Sequence, residues 1–321
     1  MQRSLILGVN GQDGSYLAET LLRRGHEVVG VGRDAGSRYV APTALFRYVP
    51  FDLRDVESLP RLVYEAEPDL AFHTAAVHGA AGFQYEGLWR DMLAVNVATL
   101  HVLLEHARTA RRSLRVIYAG SAKIFPAPLS GVIDEATPAR ASCLYSIGKM
   151  AARELIMQYR ARHGIAATNL ILFNHESVRR PAQYFLPTIV RSIGKALEQP
   201  DFRFEVETLD FRVDWSAAEE LMHLAADIAE RCDEEELILA SGSTWVGRDA
   251  AHRLFARYGL DIDRHCRQSS PRADPGPEFR VSLQRLERAI GRKPTKTIDA
   301  LVDEMLAATR SVGSQETGNG G

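Results

Sequence analysis

The chain has little of what staples or metallates small proteins. Its three cysteines, Cys143, Cys232 and Cys266, are odd in number, far apart and without Cys-x-x-Cys spacing. That argues against a disulfide framework or a structural zinc site and suits a reducing compartment. An excess of one charge is also missing. The formal net charge is −2, so nothing calls for nucleic acid or an anionic membrane surface as partner. No apolar run approaches the ~20 residues of a bilayer-spanning helix. The start, Met1-Gln2-Arg3-Ser4, passes straight into a short apolar strand without the long apolar region of a secretion signal. Repeats are absent as well. The expectation is a soluble, cytoplasmic protein. Its 321 residues, 45% hydrophobic and 25% charged, suffice for one large core or two unequal lobes.

What is present is an alternation of strands and helices. Ser4-Leu5-Ile6-Leu7 leads into Gly8-Val9-Asn10-Gly11-Gln12-Asp13-Gly14, then into a helical period over residues 16–24 that Gly25 stops. Val28-Val29-Gly30-Val31 is a second buried strand. Strand, glycine turn, helix and strand open a dinucleotide-binding fold, where a helix N-terminus receives a pyrophosphate. An ordinary strand–helix turn is the plainer alternative. The second strand ends in Gly32-Arg33 rather than in the acid that would bond a ribose 2′-OH. Arg33 on a 2′-phosphate therefore favours NADP over NAD, although Asp34 follows it. A third strand, residues 47–51, ends at Asp52-Leu53, where an adenine could be met.

Residues 69–73 form a fourth strand, delivering Thr74-Ala75-Ala76 to its C-terminal edge. A long helix is predicted over residues 90–109 and another strand over 115–119, ending in Gly120-Ser121-Ala122-Lys123. Residues 167–173 are a sixth strand, followed by Asn174-His175-Glu176-Ser177. The pattern predicts an α/β protein with a Rossmann-type, doubly wound parallel sheet and a smaller mixed α/β substrate lobe. Residues 1–173 would form the dinucleotide domain. Residues 174–310 would form mainly the second lobe with a partial return to the sheet, and the polar residues 311–321 a disordered tail.

Tyr145 and Lys149 stand four residues apart at the start of a helical run, so both heads can point at one bound molecule. An ammonium nearby would lower the phenol's pKa and make Tyr145 a proton donor or acceptor near neutrality. Alone, the pair is also what a packed tyrosine and a snorkelling lysine produce.

Gly8-x-x-Gly11-x-x-Gly14, Ser121 and Tyr145-x-x-x-Lys149 in this order resemble the extended short-chain dehydrogenase/reductases, the NAD-dependent epimerase/dehydratase family. Within it the chain most resembles the GDP-mannose 4,6-dehydratases. The carrying stretches are Gly11-Gln12-Asp13-Gly14-Ser15-Tyr16-Leu17-Ala18-Glu19, Leu172-Phe173-Asn174-His175-Glu176-Ser177 before Arg179-Arg180, and Leu209-Asp210 with Asp214-Trp215. Gly291-Arg292-Lys293-Pro294 extends the likeness nearly to the end. The resemblance implies that Tyr145 is the acid/base at a sugar C4 hydroxyl and that Ser121 bonds the C4 oxygen. Lys149 would hold the nicotinamide ribose, with Gly8, Gly11, Gln12, Asp13, Gly14, Ala75 and Ala76 around the cofactor. Asn174 and Arg272 would meet the diphosphate of a nucleotide-sugar substrate. Homodimers through residues 90–109 and 145–162 are implied, and tetramers through the loop from Arg33 to Tyr48.

Departures narrow the expectation. Where the dehydratases carry a glutamate for water loss, this chain has Lys123, which cannot replace it without becoming a neutral amine. The related GDP-fucose synthases epimerise with a cysteine and a histidine; those positions here are Lys123 and Arg179. The arginine of the dehydratases' Arg-Asp-Trp is Val213, with Arg212 one place earlier, and Pro181-Ala182-Gln183-Tyr184-Phe185-Leu186 carries an extra residue where guanine is gripped. The leading expectation is a nicotinamide-dependent 4-keto reductase of a nucleotide-sugar. A 4,6-dehydratase, a 4-epimerase and a non-catalytic nucleotide-binding protein are the alternatives.

Overall fold

Short apolar runs such as Leu5-Ile6-Leu7 and Leu237-Ile238-Leu239 leave no exposed face, as strands covered by helices on both sides require. They build the centre of the computed structural model, which describes residues 1–79, 82–110 and 113–316. In chain order the first half is β1 Arg3–Leu7, α1 Gln12–Arg23, β2 Glu27–Gly32, β3 Phe46–Pro50, α2 Leu59–Ala66 and β4 Leu70–His73. It continues with α3 Trp89–Leu93, α4 Thr99–Thr109, β5 Arg115–Ala119, β6 Gly131–Ile133, α5 Leu144–His163 and β7 Ala167–Leu172. The second half is β8 Asn174–Glu176, α6 Phe185–Glu198, β9 Phe204–Val206, β10 Arg212–Ala217, α7 Ala218–Arg231 and β11 Glu236–Leu239. After it come β12 Thr244–Val246, α8 Gly247–Ala256, β13 Cys266–Gln268, β14 Phe279–Val281, α9 Gln284–Ile290 and α10 Ile298–Glu316.

Seven strands form one sheet in the order β11-β7-β5-β4-β1-β2-β3, every neighbouring pair parallel. The order reverses between β1 and β4, and in such sheets ligands bind beyond the strand C-termini at that switch point. One face is covered by α1 and α7, whose Leu17, Leu21, Leu221 and Leu224 share a core with Ile6 and Phe72. The other is covered by α2, α4 and α5 through Val63, Leu103 and Ile156. The second lobe has its own core, in which Ile189, Trp215, Phe255 and Val302 join α6, β10, α8 and α10. Its small sheet runs β12-β10-β8, with β8 parallel to β10. The chain does return to the large sheet: β11 pairs with β7.

The long helix expected over residues 90–109 is interrupted. Ala94–Ala98 is a π-helical turn between α3 and α4, and two side chains account for it. Thr99 donates to the Val95 carbonyl at 2.6 Å, and the Tyr118 hydroxyl to the Asn96 carbonyl at 2.8 Å. The extra residue swings Asn96 fully inside. At the other end α10 runs on to Glu316, so the tail expected from Ser311 begins as helix; its remainder, residues 317–321, lies outside the described residues.

Candidate active site

The glycine turn closes because two positions admit no Cβ. Gly8 has φ of +100°, and a Cβ there would stand 2.7 Å from the Ala75 nitrogen; one on Gly14 would stand 2.3 Å from the Gly8 carbonyl oxygen. The turn packs directly on the Thr74-Ala75 segment at the switch point. α1 then begins at Gln12 with Gly11 as its N-cap and no side-chain cap. Its first amides face outward for an anion, which is the form a dinucleotide's pyrophosphate needs. The residues present fit such a cofactor.

Asp13, in the first turn of α1, is held by the second lobe. His175 on β8 approaches its carboxylate from Nε2 at 3.0 and 3.1 Å. Gln12 is tied the same way, accepting from the Ser177 hydroxyl at 2.8 Å and donating to the His175 carbonyl at 3.2 Å. Its side chain therefore braces two lobes and leaves only its backbone for a ligand.

At the end of β2, Arg33 is exposed. The Asp34 carboxylate is taken by Asn10 at 2.9 Å and by Arg38 at 2.7 Å, contacts that lower its pKa. Asp52 follows β3 and is chelated by Arg54, whose hydrogen bonds hold it at about 2. Leu53 beside it is buried. Ala76 is exposed in the crevice and Ala75 half-buried.

Tyr145 and Lys149 sit on the first turns of α5, both buried. Ser121 caps the turn after β5, accepts from the Lys123 amide at 3.2 Å and lies near enough to Tyr145 to pull its pKa down. The three residues meet as expected. The direction of the tyrosine's pKa does not follow expectation. Burial raises it well above the ordinary value, and Ser121 only partly offsets this. Lys149 does not counter the burial. Burial lowers its own pKa to about 7 against the pull of Asp13, and its Nζ turns to the Ala119 carbonyl at 2.5 Å, 5.6 Å from the Tyr145 ring centre.

Around Tyr145 stands an aromatic wall that the sequence reading missed. His78 lies 5.0 Å from the Tyr145 ring and stacks at 6.0 Å on Tyr184, whose hydroxyl meets its Nδ1 at 3.0 Å. Tyr85 stacks on Tyr145 at 5.7 Å. Asn96, turned in by the π-helical turn, accepts from the Val77 amide at 2.8 Å. An asparagine in an otherwise apolar helix was the available signal for it. The signal for His78 was its place just past the fourth strand.

The candidate substrate residues divide. Asn174 is exposed at the start of β8, and Lys123 is exposed beside Ser121. Arg179 does not join them. It bonds Ser15 at 2.9 Å and Glu19 at 2.6 Å and lies 4.0 Å over the Tyr16 ring, so its charge is spent bracing α1. Its neighbour Arg180 turns instead to the Tyr184 ring at 3.7 Å and to Glu176 at 3.2 Å. Arg212 donates to the Gly276 carbonyl at 3.0 Å. The Arg272 side chain is exposed, 3.9 Å from Glu207, while its amide donates to Asp210 at 3.1 Å. Arg212 opens β10, the central strand of the second lobe's small sheet.

Comparison with known proteins bears on this constellation. The profile of the family described as GDP-mannose 4,6 dehydratase matches residues 5–305. The chain belongs to that family. A GDP-mannose 4,6-dehydratase of Yersinia enterocolitica is 29% identical over 280 residues, covering 82% of this chain and 74% of that one. GDP-mannose 4,6 dehydratase 1 of Arabidopsis thaliana is 27% identical over 322 residues, covering 94% and 88%.

The GDP-mannose dehydratase family is one of nucleotide-sugar enzymes, and its fold is shared widely. The dTDP-glucose 4,6-dehydratase of Bacillus anthracis, solved with NAD, superposes with a TM-score of 0.81 at 12% identity over 98% of both chains. RMD from Pseudomonas aeruginosa, solved with NADPH, gives 0.76 at 21% identity over 97% of this chain and all of that one. At those identities the likeness is one of fold. Among the described residues no helix is long and apolar enough to cross a membrane, and no group of three or more His, Cys, Asp or Glu is placed to hold a metal ion.

Proposed function

We propose that the protein is an NADP-dependent reductase of C4 in a GDP-linked 4-keto hexose. The observation that carries this is Ser121, Tyr145 and Lys149 gathered beside the exposed Lys123, which by the resemblance stands at the dehydratases' glutamate position. When bound, a nicotinamide dinucleotide supplies hydride chemistry, held by Gly8, Gly11, Gln12, Asp13, Gly14, Ala75, Ala76 and Lys149, with Asp52 and Leu53 beside the adenine. Arg33 would meet a 2′-phosphate. The engagement of Asp34 by Asn10 and Arg38 supports NADP, because that carboxylate is already paired.

The chain's own groups manage the proton. Tyr145 donates to the C4 oxygen while Ser121 bonds the same oxygen, and Lys149 stabilises the phenolate left behind. Burial of Tyr145 keeps the phenol protonated until it is used. Asn174, Arg212 and Arg272 are the groups proposed for the nucleotide diphosphate. A homodimer or homotetramer in the cytoplasm is part of the same reading; exposed Ile147 on α5 suits a helix-to-helix contact.

The family's name favours a second reading, a 4,6-dehydratase in which another group replaces the glutamate. It would turn over GDP-mannose with no net consumption of added cofactor. Incubation of the enzyme and NADPH with GDP-4-keto-6-deoxymannose separates the two, since only the reductase consumes NADPH.

A further inference from the structure

The wall around Tyr145 holds one imidazole with more constraint than packing alone requires. Its backbone is fixed first. Asn96 accepts from the Val77 amide at 2.8 Å and donates to the Val77 carbonyl at 3.4 Å, clamping the residue just before His78. The ring is fixed next, stacked within 8° of parallel on Tyr184 and 5.0 Å from the Tyr145 ring. Tyr184 is itself seated on the Arg180 guanidinium, which pairs with the buried carboxylate of Glu176. A string of contacts thus runs from Glu176 through Arg180 and Tyr184 to His78. It begins on β8 and ends at the catalytic tyrosine.

Constraint of this kind defines what His78 offers. The Tyr184 hydroxyl has no other hydrogen-bond partner among the described residues; when it donates to Nδ1 both groups are satisfied, and the ring's proton then sits on Nε2. Nε2 has no hydrogen-bond partner among the described residues, and His78 is open to the cleft. Desolvation, then the charges of Arg180, Lys149, His175 and Lys123, lower the imidazole's pKa and favour the neutral ring. Tyr184 stacks on it, Tyr145 meets it at a tilt, and Tyr85 stacks in turn on Tyr145. A single directed N–H among apolar rings is the pattern by which ligand sites fix orientation.

We propose that His78 is a further substrate-orienting residue, donating from Nε2 to an oxygen of the hexose ring while Tyr85 and Tyr184 cover the sugar's apolar face. This rests on the sugar-nucleotide reading above. It also gives a use to Tyr184, which lies in the segment that departs from the family pattern. The Tyr184–His78 bond makes that departure a determinant of which hexose is accepted.

The test uses the full chain with NADPH and GDP-4-keto-6-deoxymannose as probe. His78→Phe should lower kcat/KM about tenfold or more, chiefly in kcat, with melting temperature and NADPH affinity within about twofold of wild type. His78→Gln, which restores a donor, should recover most of the loss, and Tyr184→Phe should lose a smaller share. Should His78→Phe not fold, His78→Ala against His78→Gln carries the same comparison. Turnover unchanged in a folded His78→Phe or His78→Ala protein overturns the proposal, as does equal damage by His78→Gln. If wild type binds NADPH but neither reduces this probe nor converts GDP-mannose, the sugar-nucleotide reading fails, and this proposal with it.

Discussion

His175 donates from Nε2 to the Asp13 carboxylate at 3.0 Å and from Nδ1 to the Phe173 carbonyl at 2.6 Å. Both acceptors lack protons to give, so both ring nitrogens carry one and the ring is a cation. Burial opposes each charge, yet the pairing prevails. Asp13 is held at about 2, and His175 lies above its usual value. Arg180 and Glu176 border the same pair. Under the proposed function, the cation would neutralise a carboxylate that otherwise faces a dinucleotide's pyrophosphate at the start of α1.

Replacing His175 with Gln should therefore weaken dinucleotide binding and lower stability by about 3–5 kcal/mol, the range for stranding one buried charge. The His175 contribution is full below its unfolded pKa of 6.5 and fades as pH rises through the higher folded value. The Asp13 contribution is present above 3.8 and fades as pH falls toward about 2. The melting-temperature gap between wild type and His175→Gln should peak between those limits, near pH 5–6, and narrow in alkali. A gap independent of pH would contradict the charged pair.

Lys149 is expected to cost stability that function recovers. Its folded pKa is about 7 against 10.5 unfolded, so between those values the folded state binds fewer protons and stability rises with pH. Lys149→Met should raise stability by about 1–4 kcal/mol at pH 6.5, little at pH 10.5, and abolish turnover. Calorimetry at the two pH values checks this.

Gly14→Ala should be severe for a steric reason. Its Cβ would enter within 2.3 Å of the Gly8 carbonyl oxygen and 2.9 Å of Thr74 Oγ1. Overpacking there should cost about 1–3 kcal/mol and displace α1 from β1, with loss of nicotinamide binding. Gly36→Ala, with nothing within 4 Å and ordinary φ, is the neutral control. Fluorescence titration with NADPH reads both.

Tyr145→Phe should lose about a hundredfold or more in turnover, the scale of a positioned proton donor. Lys123→Met should stay within about tenfold of wild type in reduction, because Lys123 lies exposed beside the buried centre. Steady-state rates with the same 4-keto substrate compare the two.

The main sheet was legible because its strands are buried on both faces and read as apolar runs between turn residues. Residues 28–31 and 69–73 fall almost on β2 and β4. The assembly of Ser121, Tyr145 and Lys149 was legible too, since all three lie on a strand end or a helix start whose direction the alternation sets. Other features depended on contacts between distant segments. The π-helical turn arises from Tyr118 and Thr99 competing for helix carbonyls. Arg179 and Arg180 are neighbours in sequence, yet one is drawn to Glu19 and the other to Glu176. The sign of the Tyr145 shift escaped the sequence because adjacency to an ammonium was visible there, whereas burial was not.

The most direct test of the central claim is NADPH absorbance during incubation of the purified enzyme with GDP-4-keto-6-deoxymannose. The account predicts stoichiometric NADPH oxidation and a 4-hydroxy product, abolished in Tyr145→Phe. Stable NADPH, with GDP-mannose instead converted to its 4-keto-6-deoxy product, would contradict it.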